Sequence, residues 1–227
     1  MNYLLAALVS VAASLTMAGG IPAHCSGCSF AGRDLHGADL ANVEYAGVDF
    51  ARANLRDADL RGARLAGVDF HAADLRGVNL TKARLAGVDL REAQLSGATF
   101  TGAKLAGVNW RGAAIAGFDL SGVSIVGSDL SEARAQRVRL SGDDLEGVNF
   151  ARADLRGADF RDAKLCSRSA DDPELHCIDL RGANVLGADF RGALLCANGR
   201  EPRTCTPVDA ATLREGSRSN LAGAILP

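Results

Sequence analysis

The chain has 227 residues, with 25 Lys and Arg against 27 Asp and Glu, and a formal net charge of -2 at pH 7. A protein that neutralises nucleic-acid phosphates needs a basic surface, and one that imitates DNA needs a strongly acidic surface, so the overall charge favours neither class. Gly is abundant at 26 residues, whereas Trp, Tyr and Met are scarce, which is typical of a repetitive fold.

The N-terminal segment predicts an export signal. No charged side chain precedes Arg33, and an apolar run extends over Tyr3–Met17. This run is shorter than a membrane span of roughly 18–20 residues, but it suits the core of a signal peptide. We expect residues 1–23 to be removed, by cleavage after Ala23 or, alternatively, after Gly20. A retained hydrophobic anchor is the other possibility, because the start has no Lys or Arg. The mature chain is expected to lack a transmembrane segment and to be periplasmic or extracellular.

A pentapeptide period runs from Phe30 to Leu165. Steps of five visit 28 positions, of which 27 are Leu, Phe, Ile, Tyr or Trp and one is Ala135. Ala or Val stands two residues earlier in 23 of the 28 cases. Residues five apart share no face on an α-helix and alternate between faces on a strand. The period therefore predicts short sides of a coil, each with its large residue and the preceding Ala or Val pointing inwards.

A second recurrence has a period of twenty. "ARLAGVDF" (63–70) returns as "ARLAGVDL" (83–90) and as "AKLAGVNW" (103–110). Four pentapeptides then close one square turn, and residues twenty apart stack at the spacing of parallel strands, about 4.8 Å. Each coil buries its inner residues only against its neighbours. We predict an all-β, four-sided parallel β-helix solenoid of about eight coils over residues 24–195.

Three segments carry a family resemblance. "ADLRGARL" (58–65), "ADLRGVNL" (73–80) and "ADLRGADF" (153–160) resemble the pentapeptide-repeat proteins, whose consensus is A-D/N-L-x-x. The resemblance covers about residues 28–195 and implies a right-handed, four-sided β-helix. It says little about function, because functional sites are grafted on such scaffolds. Some members of the family are DNA mimics that protect or inhibit a topoisomerase.

The segment 166–177 interrupts the repeat. The residues after it, 179–190, match 59–70 at eight of twelve positions, six whole coils away. We therefore expect the interruption to replace two sides of one coil without a loss of phase. By this phase, Cys166 and Cys177 point outwards at the base of the loop.

The six cysteines fall into three pairs that are close in sequence. We predict disulfides Cys166–Cys177, Cys196–Cys205 and Cys25–Cys28. An even cysteine count behind an export signal fits an oxidising compartment. For the inward-pointing C-x-x-C of Cys25 and Cys28, a redox pair and half a zinc site are the alternatives. Haem attachment is excluded there, because Ser29 stands where a His is required.

Residues 196–227 are interpreted as a disulfide loop followed by a cap. "TPVDAATLREG" predicts a short helix with Thr206 as N-cap, Pro207 in the first turn and Gly216 at its end. "SNLAGAIL" (219–226) resembles one last repeat. A β-helix needs its open edge covered, and we expect this segment to cover the C-terminal end.

One side of the predicted coil presents a cationic row beside small residues. The row is Arg64, Arg84 and Lys104, and the small residues are Ala66, Ala86 and Ala106. We predict a flat docking surface for a partner protein or for a second copy of the chain. The alternative is that small residues merely ease the corner.

Residues 131–144 are the weakest part of the repeat, with Asp143 at an inner position. Three arginines cluster outwards there: Arg134, Arg137 and Arg139. They are candidates for binding an anionic group. Local ion pairs, from Arg134 to Asp154 and from Arg139 to Asp119 or Asp159, are the favoured interpretation and contribute only about 0–1 kcal/mol each.

No catalytic residue, cofactor or metal site is predicted. Aspartates before the large residues, such as Asp49 and Asp69, are expected to accept backbone hydrogen bonds in tight turns. The leading hypothesis is a non-catalytic, exported scaffold that binds an unknown protein or extended ligand, with self-association as a further possibility. One alternative is a DNA mimic that binds a topoisomerase. The other is a cation-binding protein that uses the acidic loop 171–176.

Overall fold

The structure is a computed structural model that describes residues 20–169, 176–198, 204–217 and 221–226. Over these residues the chain forms a parallel β-solenoid in which residues twenty apart pair. Each turn contributes to four parallel ladders, as in the pairs Ser29↔Asp49, Asp34↔Asn54, Asp39↔Asp59 and Glu44↔Arg64. The predicted four-sided parallel β-helix is confirmed, whereas the coil count and the domain boundaries stay predictions.

One face of the solenoid carries regular strands. Its first sheet is parallel, in the order β1-β2-β3-β4-β5, with β1 His24–Ser26, β2 Glu44–Ala46, β3 Arg64–Ala66, β4 Arg84–Ala86 and β5 Lys104–Ala106. Its second sheet has the order β7-β6-β8-β9, with β6 Lys164–Ser169, β7 His176–Cys177, β8 Leu194–Asn198 and β9 Thr204–Pro207. The helix α1 spans Ala210–Ser217. The other faces consist of single β-bridges between successive coils.

The core is a stack of inner side chains along the solenoid. All 28 inner positions from Phe30 to Leu165 are buried, including Ala135. Aromatic rings stack from coil to coil, since the ring centroids of Phe30 and Phe50 lie 5.1 Å apart and those of Phe50 and Phe70 lie 5.2 Å apart. The pentapeptide period therefore works as predicted, because every fifth side chain packs on the one twenty residues away.

Most sides of the coil end in a β-turn. The backbone N–H of Ala53 donates to the carbonyl oxygen of Phe50 at 2.9 Å, and the residue before Ala53 has a positive φ. Glycine fills most of these positions, and at Gly77 it is required on two counts. Its φ is +71°, and a Cβ there would lie 2.1 Å from Oδ1 of Asp57 in the preceding coil.

The interruption at 166–177 does not replace two sides of a coil, so that prediction is wrong. After it, residues thirty apart pair, as in Asn149↔Asp179 and Asp154↔Asn184. Ten residues have thus been inserted on one face, where β6 runs on past the corner and pairs antiparallel with β7. The side that follows the insertion therefore stacks on the preceding coil as it would if the ten residues were absent.

Cys166, predicted at an outward position of its pentapeptide, is buried, with only 2% of the residue exposed. The strand β8 pairs in parallel with β6 and covers it, with Leu195 beside Cys166. The extension of β6 thus turns an outer position of the pentapeptide into an interior position of a four-stranded sheet.

The predicted C-terminal helix exists but begins later than expected. Thr206 and Pro207 belong to β9, where Thr206 pairs with Leu195. The N-cap is Asp209, whose Oδ1 accepts the backbone N–H of Thr212 at 2.7 Å. Residues 206–207 form a strand and not the start of the helix, because β9 supplies the edge of β8 with hydrogen-bond partners.

The C-terminal segment covers the end of the solenoid. Leu213 of α1 and Leu221 are buried and join the core. Ile225 pairs in parallel with Asp189, and the N–H of Gly187 donates to the carbonyl oxygen of Gly223 at 2.7 Å. Backbone groups of the last coil thus find partners.

Candidate interaction surface

The strands β3, β4 and β5 carry the predicted docking surface. In each, the middle residue is buried and its two neighbours are exposed. The register aligns Arg64 with Arg84 and Lys104, and Ala66 with Ala86 and Ala106. The structure thus brings all six residues onto one face, and we call residues 64–67, 84–87 and 104–107 the alanine strip.

The alanine strip is flat because three glycines complete it. Gly67, Gly87 and Gly107 have φ values of +59° to +60°, and a Cβ on any of them would meet no atom within 4 Å. A shallow depression of about 330 Å³ lies at its N-terminal part, lined by Glu44, Tyr45, Ala46, Arg64, Leu65, Ala66, Arg84 and Ala86. A partner can therefore approach the backbone of this face closely.

The charge of the alanine strip is compensated only at its N-terminal end. Arg64 forms an ion pair with Glu44 of β2, and Nδ1 of His24 lies 3.3 Å from Oε2 of the same glutamate. In the part of the chain that the structure describes, Arg84 and Lys104 have no ion-pair partner. Two free cations therefore stand in line, one coil apart, beside exposed alanines.

The three clustered arginines do not form one site. Nη1 of Arg139 pairs with Oδ2 of Asp119 at 2.9 Å, as predicted. The predicted pair of Arg134 with Asp154 is wrong, because Asp154 is held by Arg156 at 2.7 Å. Two separate hollows lie nearby: Arg137 and Arg156 line one, and Arg134 and Arg76 line the other.

Seven aspartates form ion pairs with the arginine two residues later, a feature that was not predicted from the sequence. The pairs are Asp59–Arg61, Asp74–Arg76, Asp89–Arg91, Asp154–Arg156, Asp159–Arg161, Asp179–Arg181 and Asp189–Arg191. The hydrogen bond from Arg156 is the main cause that lowers the pKa of Asp154 to about 2. Being exposed, each pair contributes little to stability, but it cancels charge locally.

The aspartates also accept backbone hydrogen bonds in the turns, as predicted. Oδ1 of Asp49 accepts the backbone N–H of Ala51 at 2.9 Å, and Oδ1 of Asp69 accepts that of His71 at 2.7 Å. The acceptor is always two residues before the donor, which is the geometry of an Asx turn. A structural role therefore accounts for these carboxylates.

A family model for pentapeptide repeats matches the chain in eight copies. The matched residues are 23–62, 34–71, 46–81, 73–112, 103–142 and 136–167. Together they span more than half of the chain. The chain belongs to the pentapeptide repeat family.

Solved structures of other proteins are similar to this chain. Full-length QnrB1, a plasmid-mediated fluoroquinolone resistance protein, superposes with a TM-score of 0.50 at 21% sequence identity, covering 71% of this chain and 84% of its own. HetL from the cyanobacterium Nostoc, involved in the regulation of heterocyst differentiation, gives a TM-score of 0.29 at 28% identity and covers 75% and 84%. Comparison with curated protein sequences gives no significant match.

This pentapeptide repeat protein departs from the repeat pattern at Asp143. The inner positions one coil away hold Val123 and Ala163, whereas Asp143 buries a carboxyl group at 3% exposure. Its Oδ1 accepts the backbone N–H of Gly122 at 2.5 Å, and its Oδ2 has no hydrogen-bond partner. Desolvation by burial raises the pKa of Asp143 to about 7, which makes it a buried group that titrates near neutral pH.

All six cysteines lie in their predicted pairs, with the sulfur atoms of each pair at bonding distance. The pairs are Cys25–Cys28, Cys166–Cys177 and Cys196–Cys205. The last two bridge adjacent antiparallel strands, β6 with β7 and β8 with β9. Cys25 and Cys28 pack against the core at the first coil. These disulfides fasten both loops and the N-terminal end to the solenoid.

Removal of one bridge tests its contribution. We expect the double variant Cys166→Ala/Cys177→Ala to lose about 3 kcal/mol of unfolding free energy. Opening a loop of this length raises the conformational entropy of the unfolded chain, which stabilises the unfolded state by about that amount. Chemical denaturation under non-reducing conditions measures the loss. The control is the wild-type chain in reductant, which should be at least as destabilised; equal stability of variant and oxidised wild type would contradict the structural role.

The described residues contain no cluster of metal ligands. Within them, no group of three or more His, Cys, Asp or Glu side chains could hold a metal ion. The cation-binding hypothesis for the loop concerns residues 171–175, which lie outside the described residues, as do residues 1–19 of the predicted signal. In the described part, no helix combines the length and apolar character needed to span a bilayer.

Proposed function

We propose that the protein is a non-catalytic, exported scaffold that binds an acidic protein or another extended acidic partner in the periplasm or outside the cell. The observation that carries the proposal is the alanine strip. It combines two unpaired cations, Arg84 and Lys104, with a flat exposed surface of alanine and glycine. Pentapeptide repeat proteins are in general structural or binding proteins, which agrees with this function.

The repeat spacing supports an extended partner. Successive strands of the alanine strip stack at about 4.8 Å. Each presents a cation, a Leu, an Ala and a Gly in the same order, and the cation of the third strand is Lys104. A partner with regularly spaced acidic groups can contact several strands at once. Electrostatic complementarity of this kind contributes chiefly to specificity and association rate.

Export is supported by two features of the chain. The uncharged apolar segment Tyr3–Met17 suits a signal peptide, and three paired disulfides suit an oxidising compartment. The two features agree, because an exported chain reaches a compartment in which disulfides form and persist.

The DNA-mimic alternative finds less support in the surface charge. Such a mimic needs an acidic row whose charge reaches the partner. Here seven aspartates are each paired with the arginine two residues later, and the alanine strip is cationic. In a gyrase supercoiling assay with mature protein, we expect neither inhibition nor protection from a fluoroquinolone. Either effect would revive the alternative.

Charge reversal on the alanine strip tests the proposal. We expect Arg84→Glu/Lys104→Glu to reduce partner capture at least about tenfold, because like charges then face each other across the contact. Cross-linking in exported fractions, followed by mass spectrometry, identifies and quantifies the partner. The matched control is Arg33→Glu/Arg56→Glu, which reverses two exposed charges on another face. Equal loss in both variants, or in neither, would contradict the proposed surface.

A further inference from the structure

Residues 21–23 are part of the folded solenoid. Ile21 packs against the core. The hydroxyl of Tyr45 donates to the carbonyl oxygen of Pro22 at 2.8 Å, and the backbone N–H of Glu44 donates to the carbonyl oxygen of Ala23 at 2.9 Å. Burial raises the pKa of Tyr45 to about 12, so its hydroxyl stays a donor throughout the physiological range. This tripeptide thus behaves as the start of the first coil.

The same tripeptide covers the N-terminal end of the solenoid. Phe30 and Leu35 are the most exposed of the 28 inner residues, at 7% and 8%. A hollow of about 270 Å³ lies at this end, and Gly20 and Ile21 line it together with Phe30 and Leu35. Without Ile21, the two inner side chains of the first coil would expose more apolar surface to water.

The sequence before the tripeptide has the form of a cleavage site. A signal peptidase site carries small residues at the last and third-to-last positions of the signal. Cleavage after Gly20 places Gly20 and Ala18 at these positions. Cleavage after Ala23 would place Ile21 at the third-to-last position, where a small residue is preferred. The site chemistry therefore permits this bond and disfavours the one after Ala23, and the packing favours a mature chain that keeps Ile21.

We propose that the export signal comprises residues 1–20 and that it is cut between Gly20 and Ile21. The mature chain then keeps the hydrogen bonds from Tyr45 and Glu44 and the apolar cover of the first coil. This assignment rests on the proposed export and replaces the expected boundary at residue 23.

The N-terminus of the exported protein tests the assignment. The full-length chain is expressed in a bacterium, cell fractions are separated, and intact mass and N-terminal sequence are measured. We expect a processed chain that starts at Ile21. A processed chain with any other start, His24 included, overturns the assignment and leaves export standing. An uncut chain confined to the cytoplasm overturns the proposed export itself.

Two substitutions separate the candidate bonds. Gly20→Leu places a large residue at the last position of the proposed signal and should abolish processing, whereas Ala23→Leu should leave processing after Gly20 intact. The reverse pattern overturns the assignment. As a second readout, purified chains that begin at Ile21 and at His24 are compared. We expect a melting temperature roughly 5 °C lower for the shorter chain, and equal melting temperatures would overturn the role of the tripeptide.

Discussion

We expect Phe50→Ala to lower the free energy of unfolding by about 3–5 kcal/mol. Phe50 is fully buried, and its ring stacks between Phe30 at 5.1 Å and Phe70 at 5.2 Å. The coils on both sides are held by backbone ladders twenty residues apart, so the surrounding structure cannot collapse into the space that the ring leaves. Equilibrium denaturation measures the loss.

The control for this core variant is Val126→Ala. Val126 is 36% exposed, so its truncation should change stability by less than about 0.5 kcal/mol. A loss below about 1 kcal/mol in Phe50→Ala would contradict the account of the core, because it would mean that a stacked ring between coils contributes no more than a surface side chain.

We expect Asp143 to make the stability of the protein depend on pH. Its folded-state pKa of about 7 lies above the unfolded value of about 3.9, so the folded chain binds the proton more tightly. Stability from this group is therefore greatest below the unfolded pKa and is lost as pH rises towards the folded pKa. Between pH 4 and pH 8 we expect a loss on the order of 4 kcal/mol.

Asp143→Asn is the matched variant for this effect. It keeps an oxygen to accept the N–H of Gly122 but cannot ionise. The difference in unfolding free energy between Asp143→Asn and wild type should grow with pH and level off above about pH 7. Because the surface aspartates are common to both chains, their titration cancels in this difference. Parallel pH profiles would show that the carboxyl of Asp143 does not titrate in the folded chain as described.

The repeat period predicted both the fold and the candidate surface. Each inner residue packs on the one twenty positions away, so the ladder of Arg64, Arg84 and Lys104 follows from counting alone. The flatness of this face could also be predicted from the sequence, because Ala66 and Gly67 recur every twenty residues. What counting could not reveal is which cations remain unpaired, since this depends on the reach of side chains such as Glu44.

The interruption was misread because all four sides obey the same consensus. The match between 179–190 and 59–70 is a match of pattern, and the structure places these segments on different faces. A shift of ten residues keeps the pentapeptide phase while changing the side, so the sequence carries no mark of it. The burial of Cys166 could not be foreseen for the same reason, because it depends on β8 lying beside an extended β6.

The aspartate–arginine pairs were missed although their signal is in the sequence. "ADLRG" recurs at residues 58–62, 73–77 and 153–157, with Asp two positions before Arg. The partners predicted for Arg134 and Arg139 lie one coil away, twenty residues distant. Across the corner that follows Leu155, the nearer neighbour of Asp154 is Arg156. Local geometry at the corner decides the pairing.

The location and redox state of the protein test the central claim most directly. Cells are fractionated, and the protein from each fraction is labelled with a thiol reagent before and after reduction. An exported scaffold predicts that the shortened chain is found outside the cytoplasm with all six cysteines protected until reduction. A full-length chain in the cytoplasm with its cysteines labelled before reduction would contradict the claim.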